Sequence, residues 1–250
     1  MRWFKADLHI HSVLSPCADL EMAPSAIVQR AMERGLDLIA LTDHNSLLNT
    51  AVCRRLAQQA GLAFIAGAEV QTAEEIHMVC LFPDDDAVQL FQQRLYAVLP
   101  PLPNNPDFFG DQPIVDEQNN ILGFEEKALI NSVEWDLNQT VDEVRRLGGF
   151  CFPAHVDRAT YSVLAQLGFV PSEPQFDALG ITAGCDVGQF RAQHPELEGY
   201  CLVRNSDAHF LVDVGRGYTR FYLEKPELTE IILACRGQDG RQLRPDMPQS

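Results

Sequence analysis

The stretch Asp7-Leu8-His9-Ile10-His11 is a strand-like run that ends in two histidines. Three later apolar runs also end in residues that bind metals, at Asp43-His44, at His155 and at Asp207-Ala208-His209. Neutral imidazole and carboxylate groups bind divalent metals. The carboxyl ends of strands in a barrel-like α/β fold converge on one face. The sequence therefore predicts an α/β fold with a metal site at its C-terminal strand ends.

Helix and strand signals alternate through the N-terminal part of the chain. Residues 24–34 have a helical pattern, residues 36–42 form a short apolar run, residues 46–60 are helical again, and residues 62–70 form a third strand. This β-α-β-α-β order predicts parallel strands joined by right-handed crossovers. A length of 250 residues suits one domain of this class.

The next strand, predicted for residues 76–82, follows Val70 after only a few residues. A parallel crossover needs about a dozen residues or more, so this strand is expected to run antiparallel. Its first residues then lie at the face where the preceding strand ends. The loop length therefore places His77 near Glu69.

Residues 100–132 break the alternation of strands and helices. They are rich in proline and include a β-hairpin pattern over residues 113–124, with its turn at residues 118–120. We expect a single domain over residues 1–250 with this segment as an insertion that acts as a lid or a dimer contact. A surface excursion without function is the alternative.

Composition narrows the classes of partner. The formal net charge of −16 disfavours attraction to long nucleic acids and anionic membranes, so neither is expected as a partner. A small phosphorylated substrate, such as a nucleotide or a short oligonucleotide, stays compatible because bound cations reverse the local charge. Seven cysteines without a C-x-x-C motif favour a reducing cytoplasm. A homo-oligomer is left open.

The histidine pairs carry the metal prediction. Alternate residues of a strand point to the same side, so His9 and His11 can reach one region, as can Asp207 and His209. Each pair alone is a weak signal, whereas the set indicates ligation. Asp43 points away from His44 on an extended backbone, and we expect it to orient an imidazole. His194, at a polar helix end, is expected to be a surface residue.

The motifs resemble those of the polymerase and histidinol phosphatase (PHP) family. In the family's order they are Asp7-Leu8-His9-Ile10-His11, Leu41-Thr42-Asp43-His44-Asn45, Gly67-Ala68-Glu69-Val70, Ile76-His77-Met78-Val79, Pro153-Ala154-His155 and Ser206-Asp207-Ala208-His209. This resemblance implies a distorted, TIM-like (β/α)7 barrel. It also implies two or three divalent metal ions, usually zinc, manganese or iron, and hydrolysis of phosphate esters.

The resemblance further implies three sets of metal ligands. The first set is His9, His11, Glu69 and Asp207. The second shares the bridging Glu69 and adds His77 and His155. The third is His44, His209 and a residue of the loop after His11. Cys17 is the nearest match for that residue by spacing, and Asp19 is the alternative; a thiolate would favour zinc or iron over manganese.

The expected reaction is hydrolysis of a phosphate ester. Two metals about 4 Å apart acidify a shared water and clamp the oxygens of an in-line displacement. Our hypothesis is that a hydroxide bridging the Glu69-linked pair attacks phosphorus. Asp207, His209 or a metal-bound water would deliver the proton to the leaving oxygen. Glu69, Asp207 and His209 are therefore the candidate catalytic residues.

Phosphate binding needs cationic groups besides the metals. Arg158 and Arg216 lie close in sequence to candidate ligands and could bind phosphate through two hydrogen bonds. The alternative for each is a structural ion pair with a carboxylate such as Asp157 or Asp213.

Three other functions are open at this point. The first is an exonuclease that acts on short RNA or DNA, or a phosphohydrolase that acts on bisphosphonucleotides. A hydrolase of carbon–nitrogen bonds is the second, although such enzymes usually carry a carboxylated lysine at a strand end and no lysine lies there. A non-catalytic metal-binding module is the third.

Overall fold

The computed structural model describes residues 1–245 as a mixed α/β fold. The strands are β1 (Arg2–Asp7), β2 (Leu38–His44), β3 (Ala63–Gln71), β4 (His77–Phe82), β5 (Pro113–Val115), β6 (Ile121–Phe124), β7 (Phe150–Pro153), β8 (Ala178–Ile181), β9 (Cys201–Arg204), β10 (Thr219–Leu223) and β11 (Gln242–Arg244). The α-helices are α1 (Pro24–Glu33), α2 (Thr50–Ala60), α3 (Asp85–Val98), α4 (Pro106–Phe109), α5 (Leu137–Arg146), α6 (Val163–Leu167), α7 (Val187–Gln193) and α8 (Leu228–Cys235).

The strands close into a distorted barrel. One curled sheet has the order β11-β10-β1-β2-β3-β4-β7, and β8 pairs with β9 in parallel. The Val156 N–H after β7 donates to the Gly180 carbonyl of β8 at 2.8 Å, and a bridge joins Ile10 after β1 to Ala208 after β9. Strands β1, β2, β3, β4, β7, β8 and β9 therefore surround one interior. The predicted fold class is confirmed.

The interior of the barrel is apolar. Leu8, Ala40, Phe152 and Val203 belong to one buried cluster, although they come from four separate parts of the chain. Every residue of β2 is buried, as expected for a strand covered on both faces. Packing in this layer holds the strand ends in fixed positions.

Strand pairing sets the position of the key residues. The parallel register of β2 and β3 places His44 beside Glu69. Strand β4 is antiparallel to β3, with His77 opposite Gln71, so the direction predicted from the short loop is confirmed. The Nδ1 atom of His77 lies 3.1 Å from Glu69 Oε1, as that direction required.

Helix α2 begins four residues later than predicted. Asn45 adopts a left-handed conformation (φ +47°), which interrupts helical geometry directly after β2. The side chain of Asn49 is occupied by the insertion, since it donates to the Pro113 carbonyl at 3.2 Å and accepts from the Val115 N–H at 3.2 Å. Residues 46–49 therefore form a loop that anchors the insertion.

The predicted β-hairpin is present as β5 and β6. Gln112, which is 1% exposed, organises the segment. Its amide nitrogen donates to the carbonyls of Glu125 and Lys127 at 2.8 Å each, and its oxygen accepts from the Leu129 N–H at 2.9 Å. Whether the segment acts as a lid or a dimer contact stays a prediction, as does a single domain over the whole chain.

Candidate metal centre

Six histidines and two carboxylates meet where the predicted strand ends converge. They come from the ends of β1, β2, β3, β7 and β9 and from the start of the antiparallel β4. These residues are His9, His11, His44, Glu69, His77, His155, Asp207 and His209. His194 lies elsewhere, 3.2 Å from Glu196 on α7's C-terminal side.

Glu69 is the centre of the cluster. Its side chain is 1% exposed. The Oε1 atom lies 3.1 Å from His9 Nε2, 3.1 Å from His77 Nδ1 and 3.3 Å from His155 Nε2. The Oε2 atom lies 3.1 Å from His44 Nδ1 and 3.3 Å from His11 Nε2. One buried carboxylate therefore faces five imidazoles.

The donor set fits metal ions better than hydrogen bonding alone. Ring nitrogens face one another, with 3.1 Å between His9 Nε2 and His11 Nε2 and 3.3 Å between His155 Nε2 and His77 Nδ1. His44 Nδ1 and Glu69 Oε1 are buried without a well-formed hydrogen bond. Converging lone pairs of this kind are what a bound cation satisfies.

Three groups in the cluster have ligand atoms within 4.8 Å of one another. The groups are His9, His11, Glu69 and Asp207; His44, Glu69 and His77; and His11, His44 and His209. The cluster can therefore hold several metal ions. Imidazole and carboxylate ligands suit zinc, manganese and iron, and the identity of the metal stays a prediction.

These groups differ from the predicted sets in two respects. His155 is outside them, although its Nε2 atom is 3.3 Å from Glu69 Oε1. His11, rather than Cys17, accompanies His44 and His209. Cys17 lies in the wall of the cavity above the cluster, while the Asp19 carboxylate accepts a hydrogen bond from the Glu21 N–H at 2.8 Å. The assignment of individual ligands therefore stays a prediction.

The charges in the cluster shift several pKa values. Burial lowers the pKa of His11, but hydrogen bonds and negative charge from Asp207 and Glu69 outweigh burial and raise it to about 10. Burial raises the pKa of Asp207, yet the charges of His9 and His11 hold it well below its usual range. Burial and the nearby charge of His11 lower the pKa of His209 to about 4. His209 is therefore a neutral imidazole with a lone pair available.

A buried hydroxyl, Ser15 Oγ, orients two of the histidines. It donates to Asp43 Oδ1 at 2.7 Å, so its lone pairs accept from the His44 N–H at 3.1 Å and from His11 Nδ1 at 3.0 Å. With Nδ1 on Ser15, Nε2 is the atom of His11 that faces Glu69 and Asp207, and it would bind a cation once that cation displaces its proton. Asp43 thus acts on the cluster through Ser15, in line with the role expected for it.

Other ring orientations are fixed in the same way. His77 Nε2 lies 3.1 Å from Gln71 Oε1, which accepts its proton and leaves Nδ1 towards Glu69. His209 Nδ1 lies 2.9 Å from the Asp207 carbonyl, which leaves Nε2 free. Sequence reasoning missed Ser15 and Gln71, because neither lies in a motif that marks a metal ligand.

Several residues at the site have backbone conformations that are uncommon outside glycine. The φ angles are +29° for His155, +52° for Asp207 and +55° for Tyr161. Such conformations persist only where surrounding contacts impose them, and they concentrate at functional sites. Asp207 and His155 are thereby aimed into the cluster instead of continuing along their strands.

A cavity of about 560 Å³ opens above the cluster. Arg158 lies in its wall, half exposed, with Nη1 2.8 Å from Asp207 Oδ2. Arg216 does not belong to the residues that line this cavity, and its Nη1 lies 2.7 Å from Asp213 Oδ1. Of the two predicted phosphate-binding arginines, the structure brings Arg158 to the cluster and pairs Arg216 with a carboxylate.

Comparison with known proteins agrees with this geometry. The PHP domain family matches residues 7–166, which is more than half of the chain. The chain belongs to the PHP family. The predicted resemblance is therefore confirmed, and membership places this PHP domain among metal-dependent hydrolases of phosphoric ester bonds.

Two curated relatives share part of the sequence of the PHP protein. It is 34% identical over 107 residues to the uncharacterized protein YqxK of Bacillus subtilis, covering 40% of this chain and 27% of YqxK. It is 38% identical over 80 residues to the 5'-3' exoribonuclease Rnm of Escherichia coli, covering 30% of this chain and 26% of Rnm. The chain thus spans under a third of these curated relatives.

Solved structures show the same fold over nearly the whole PHP chain. The lesion-specific endonuclease Q of Pyrococcus furiosus has a TM-score of 0.73 at 20% identity, over 96% of this chain and 57% of that one. A complex of endonuclease Q with a 27-mer duplex that has an abasic lesion at the active site has a TM-score of 0.68 at 20% identity, over 96% and 58%.

The complex corrects one prediction. Net charge led us to expect a small phosphorylated substrate and no long nucleic acid, but a protein of the same fold binds a 27-mer duplex. The expectation was wrong because net charge sums the whole surface, whereas bound cations reverse the sign locally. Within residues 1–245, no helix is long and apolar enough to cross a bilayer. A cytoplasmic location stays a prediction.

Proposed function

We propose that this protein is a metal-dependent phosphodiesterase that cleaves nucleic acid strands. One observation carries the proposal: a single buried carboxylate, Glu69, faces five imidazoles at the base of an open cavity. The exoribonuclease and endonuclease names of its relatives support a nucleic acid rather than another phosphate ester.

The proposed ligands are the three groups described above with His155 added. The first ion would be held by His9, His11, Glu69 and Asp207. A second ion would share Glu69 and be held by His77 together with His155 or His44. A third ion would be held by His11, His44 and His209. Bound divalent cations would acidify water and neutralise charge on the phosphate. Cys17 stays an additional candidate ligand from the cavity wall.

Arg158 is the proposed phosphate-binding side chain. Its guanidinium is half exposed and rests on Asp207, so it can turn towards a phosphate oxygen without a change in the backbone. Arg216 is the weaker candidate because it does not line the cavity, whereas Arg158 does. Loss of Arg158 should therefore raise KM for a phosphodiester more than loss of Arg216.

Asp207 and His209 are the proposed proton carriers. The low pKa values of both groups leave an ionised carboxylate and a neutral imidazole at neutral pH. Asp207 could accept a proton from the attacking water through a carboxylate oxygen that holds no ion and return it to the leaving oxygen, whereas His209 could do so only where its Nε2 atom holds no ion. Glu69, in contrast, would keep its charge throughout and hold the ligands together.

The test combines metal analysis with strand cleavage. Purified protein, Glu69→Gln and the exposed control Glu198→Gln would be loaded with zinc, manganese or iron and given end-labelled RNA, single-stranded DNA and a duplex with an abasic site. We expect at least two ions per chain and cleavage in the wild type and control. Glu69→Gln should lose metal and about 10²-fold or more in rate, since the loss of a hydrogen-bond partner behind a ligand alone costs about 10- to 100-fold.

Two outcomes would overturn the proposal. The first is a wild-type protein that carries its metals and cleaves none of the three nucleic acids. The second is a folded Glu69→Gln protein, checked by circular dichroism, that keeps full metal content and rate. Which strand is cut, and from which end, would separate exonuclease from endonuclease action.

A further inference from the structure

The cavity above the metal cluster offers little positive charge to a nucleic acid. Its lining residues include one cationic side chain, Arg158, and three acidic ones, Glu69, Asp207 and Asp213. The whole chain has 35 acidic residues against 19 lysines and arginines. Contacts from lysine and arginine to phosphates normally supply most non-specific affinity, so the parts of a strand that lie beyond the metals need another source of binding energy here.

Tyr161 offers a rigid aromatic surface in the cavity wall. Its ring stacks on His77, with centroids 4.8 Å apart and 16° between the planes. Its carbonyl accepts from the His77 N–H at 2.9 Å, and its φ angle is +55°. The residue is nevertheless 42% exposed. One face of the ring is thus fixed on a candidate metal ligand while part of the ring stays accessible.

Phe210 is the second aromatic residue in the same wall. It follows His209 directly and is 51% exposed. Its carbonyl accepts from the Asp213 N–H at 2.9 Å, and the preceding carbonyl of His209 accepts from the Asp19 N–H at 2.9 Å. The backbone that carries the ring is therefore held on both sides.

We infer that Tyr161 and Phe210 are stacking surfaces for the nucleobases that flank the scissile phosphate. The inference rests on the proposed function and names how the substrate is held. The Tyr161 ring stacks on the candidate ligand His77, and Phe210 follows the candidate ligand His209 in the wall of the same cavity, so a phosphate at the metals leaves its neighbouring bases within reach of this wall. Stacking is tolerant of sequence because every base has a π-face.

This mode of binding has two consequences. The substrate must present unstacked bases, as in a single strand or at a lesion, because bases inside a duplex have no free face. Affinity must also depend weakly on salt. With Arg158 as the cationic side chain in the wall, affinity should fall only about 3-fold between about 50 and 200 mM salt, against about 10²- to 10³-fold for six phosphate contacts.

The experiment measures binding and turnover of an oligonucleotide that carries 2-aminopurine next to the cleavage position. Wild-type protein should quench its fluorescence, and Tyr161→Ala and Phe210→Ala should each weaken binding about 10- to 100-fold. Tyr161→Phe keeps the ring and should bind as the wild type does. Phe169→Ala removes an aromatic side chain of similar exposure (57%) outside this cavity and serves as the matched control.

An abasic analogue makes the test specific for stacking. With a tetrahydrofuran residue at the position that a ring contacts, the matching alanine substitution should change KM less than about 3-fold, since the partner base is already absent. The Phe169→Ala control should keep the KM of the wild type on both strands. A purely structural role of Tyr161 or Phe210 would instead weaken the intact and the abasic strand alike.

The inference is overturned if the oligonucleotide binds with equal affinity to the alanine variants and the wild type. It is also overturned if the alanine variants weaken the intact and abasic strands equally. Because the fluorescence measurement needs no turnover, it fails independently of the proposed function. Bound but uncut strands would refute cleavage and leave stacking supported.

Discussion

Removal of the Ser15 hydroxyl tests whether the hydrogen-bond network behind the histidines controls metal affinity. Ser15→Ala deletes one fully buried atom, whose partners are His11 Nδ1, the His44 main-chain N–H and Asp43 Oδ1. Without it, His11 loses the acceptor that fixes its Nδ1 proton. The ring can then rotate or change tautomer, so that its Nε2 lone pair no longer points at Glu69.

The size of the effect follows from these contacts. Loss of a hydrogen-bond partner behind a metal-binding histidine lowers metal affinity about 10- to 100-fold, or about 1.4 to 2.7 kcal/mol. The substitution also leaves the buried His44 N–H without its acceptor, which costs about 1 to 3 kcal/mol. Asp43 keeps the Ser12 N–H and hydroxyl at 2.6 and 2.7 Å, so the loop itself should persist.

Two measurements separate these effects. Competition with a chromophoric zinc chelator gives metal affinity, and urea unfolding in excess chelator gives the free energy of unfolding without metal. Ser25→Ala removes an exposed hydroxyl that donates to Asn119 at 2.9 Å and should change neither quantity by more than about 0.5 kcal/mol. The reasoning is refuted if Ser15→Ala keeps wild-type zinc affinity while its unfolding free energy falls.

Three further predictions concern the scaffold. Arg204 is fully buried and donates to three main-chain carbonyls at 2.8 Å each, so Arg204→Lys should lower the urea unfolding free energy by about 1 to 3 kcal/mol. A Cβ at Gly217 would lie 2.2 Å from the Asn205 carbonyl oxygen, so Gly217→Ala should shift the backbone that precedes Asp207 and cost about 1 to 3 kcal/mol. Burial raises the pKa of Asp7 from 3.8 to about 6, so its contribution to stability is present below about pH 4 and lost as pH rises through about 6. We therefore compare the unfolding free energies of the wild type and Asp7→Asn, both measured in excess chelator. When the pH is lowered from about 7 to about 4, the wild type should gain about 2 to 3 kcal/mol relative to the variant.

Each of these predictions has an outcome that contradicts it. The Arg204→Lys prediction is contradicted by an unchanged urea midpoint, which would mean that a lysine ammonium can replace the guanidinium group. For Gly217→Ala it is full stability together with full metal content. For Asp7 it is a stability difference that stays constant across this range of pH, which would mean that the carboxyl is solvated.

Much of the architecture could be predicted because it depends on local signals. The helix-to-strand alternation before Val70 fixed parallel pairing, and a loop too short for a crossover fixed the direction of β4. The sequence also marks the start of α5, since Asp136 and Gln139 form a capping box that places the first turn at Leu137. Helix α2 was extended too far because the left-handed Asn45 has no such signal.

The residues of the candidate site also fall into those that local sequence signals reveal and those that they do not. Histidines at strand ends could be found from spacing, because the fold brings all strand ends to one face. Ser15 and Tyr161 could not, since Ser15 gains its role from Asp43, which is distant in the chain, and Tyr161 from an unusual backbone angle. Gln71 lies near His77 in the chain, but a glutamine is not a residue type that marks a metal site. The error over nucleic acid had another origin, in the use of a sum of charges to describe one small region.

Ligand sharing makes metal loading of the proposed centre a linked equilibrium. His11, His44 and Glu69 each belong to two of the three groups, so no ion has a ligand set of its own. The first ion to bind displaces protons from, and orients, side chains that the next ion also uses, while its charge repels that ion. Successive binding constants therefore belong to the centre as a whole, and a substitution at one shared ligand changes the titration curve of every ion.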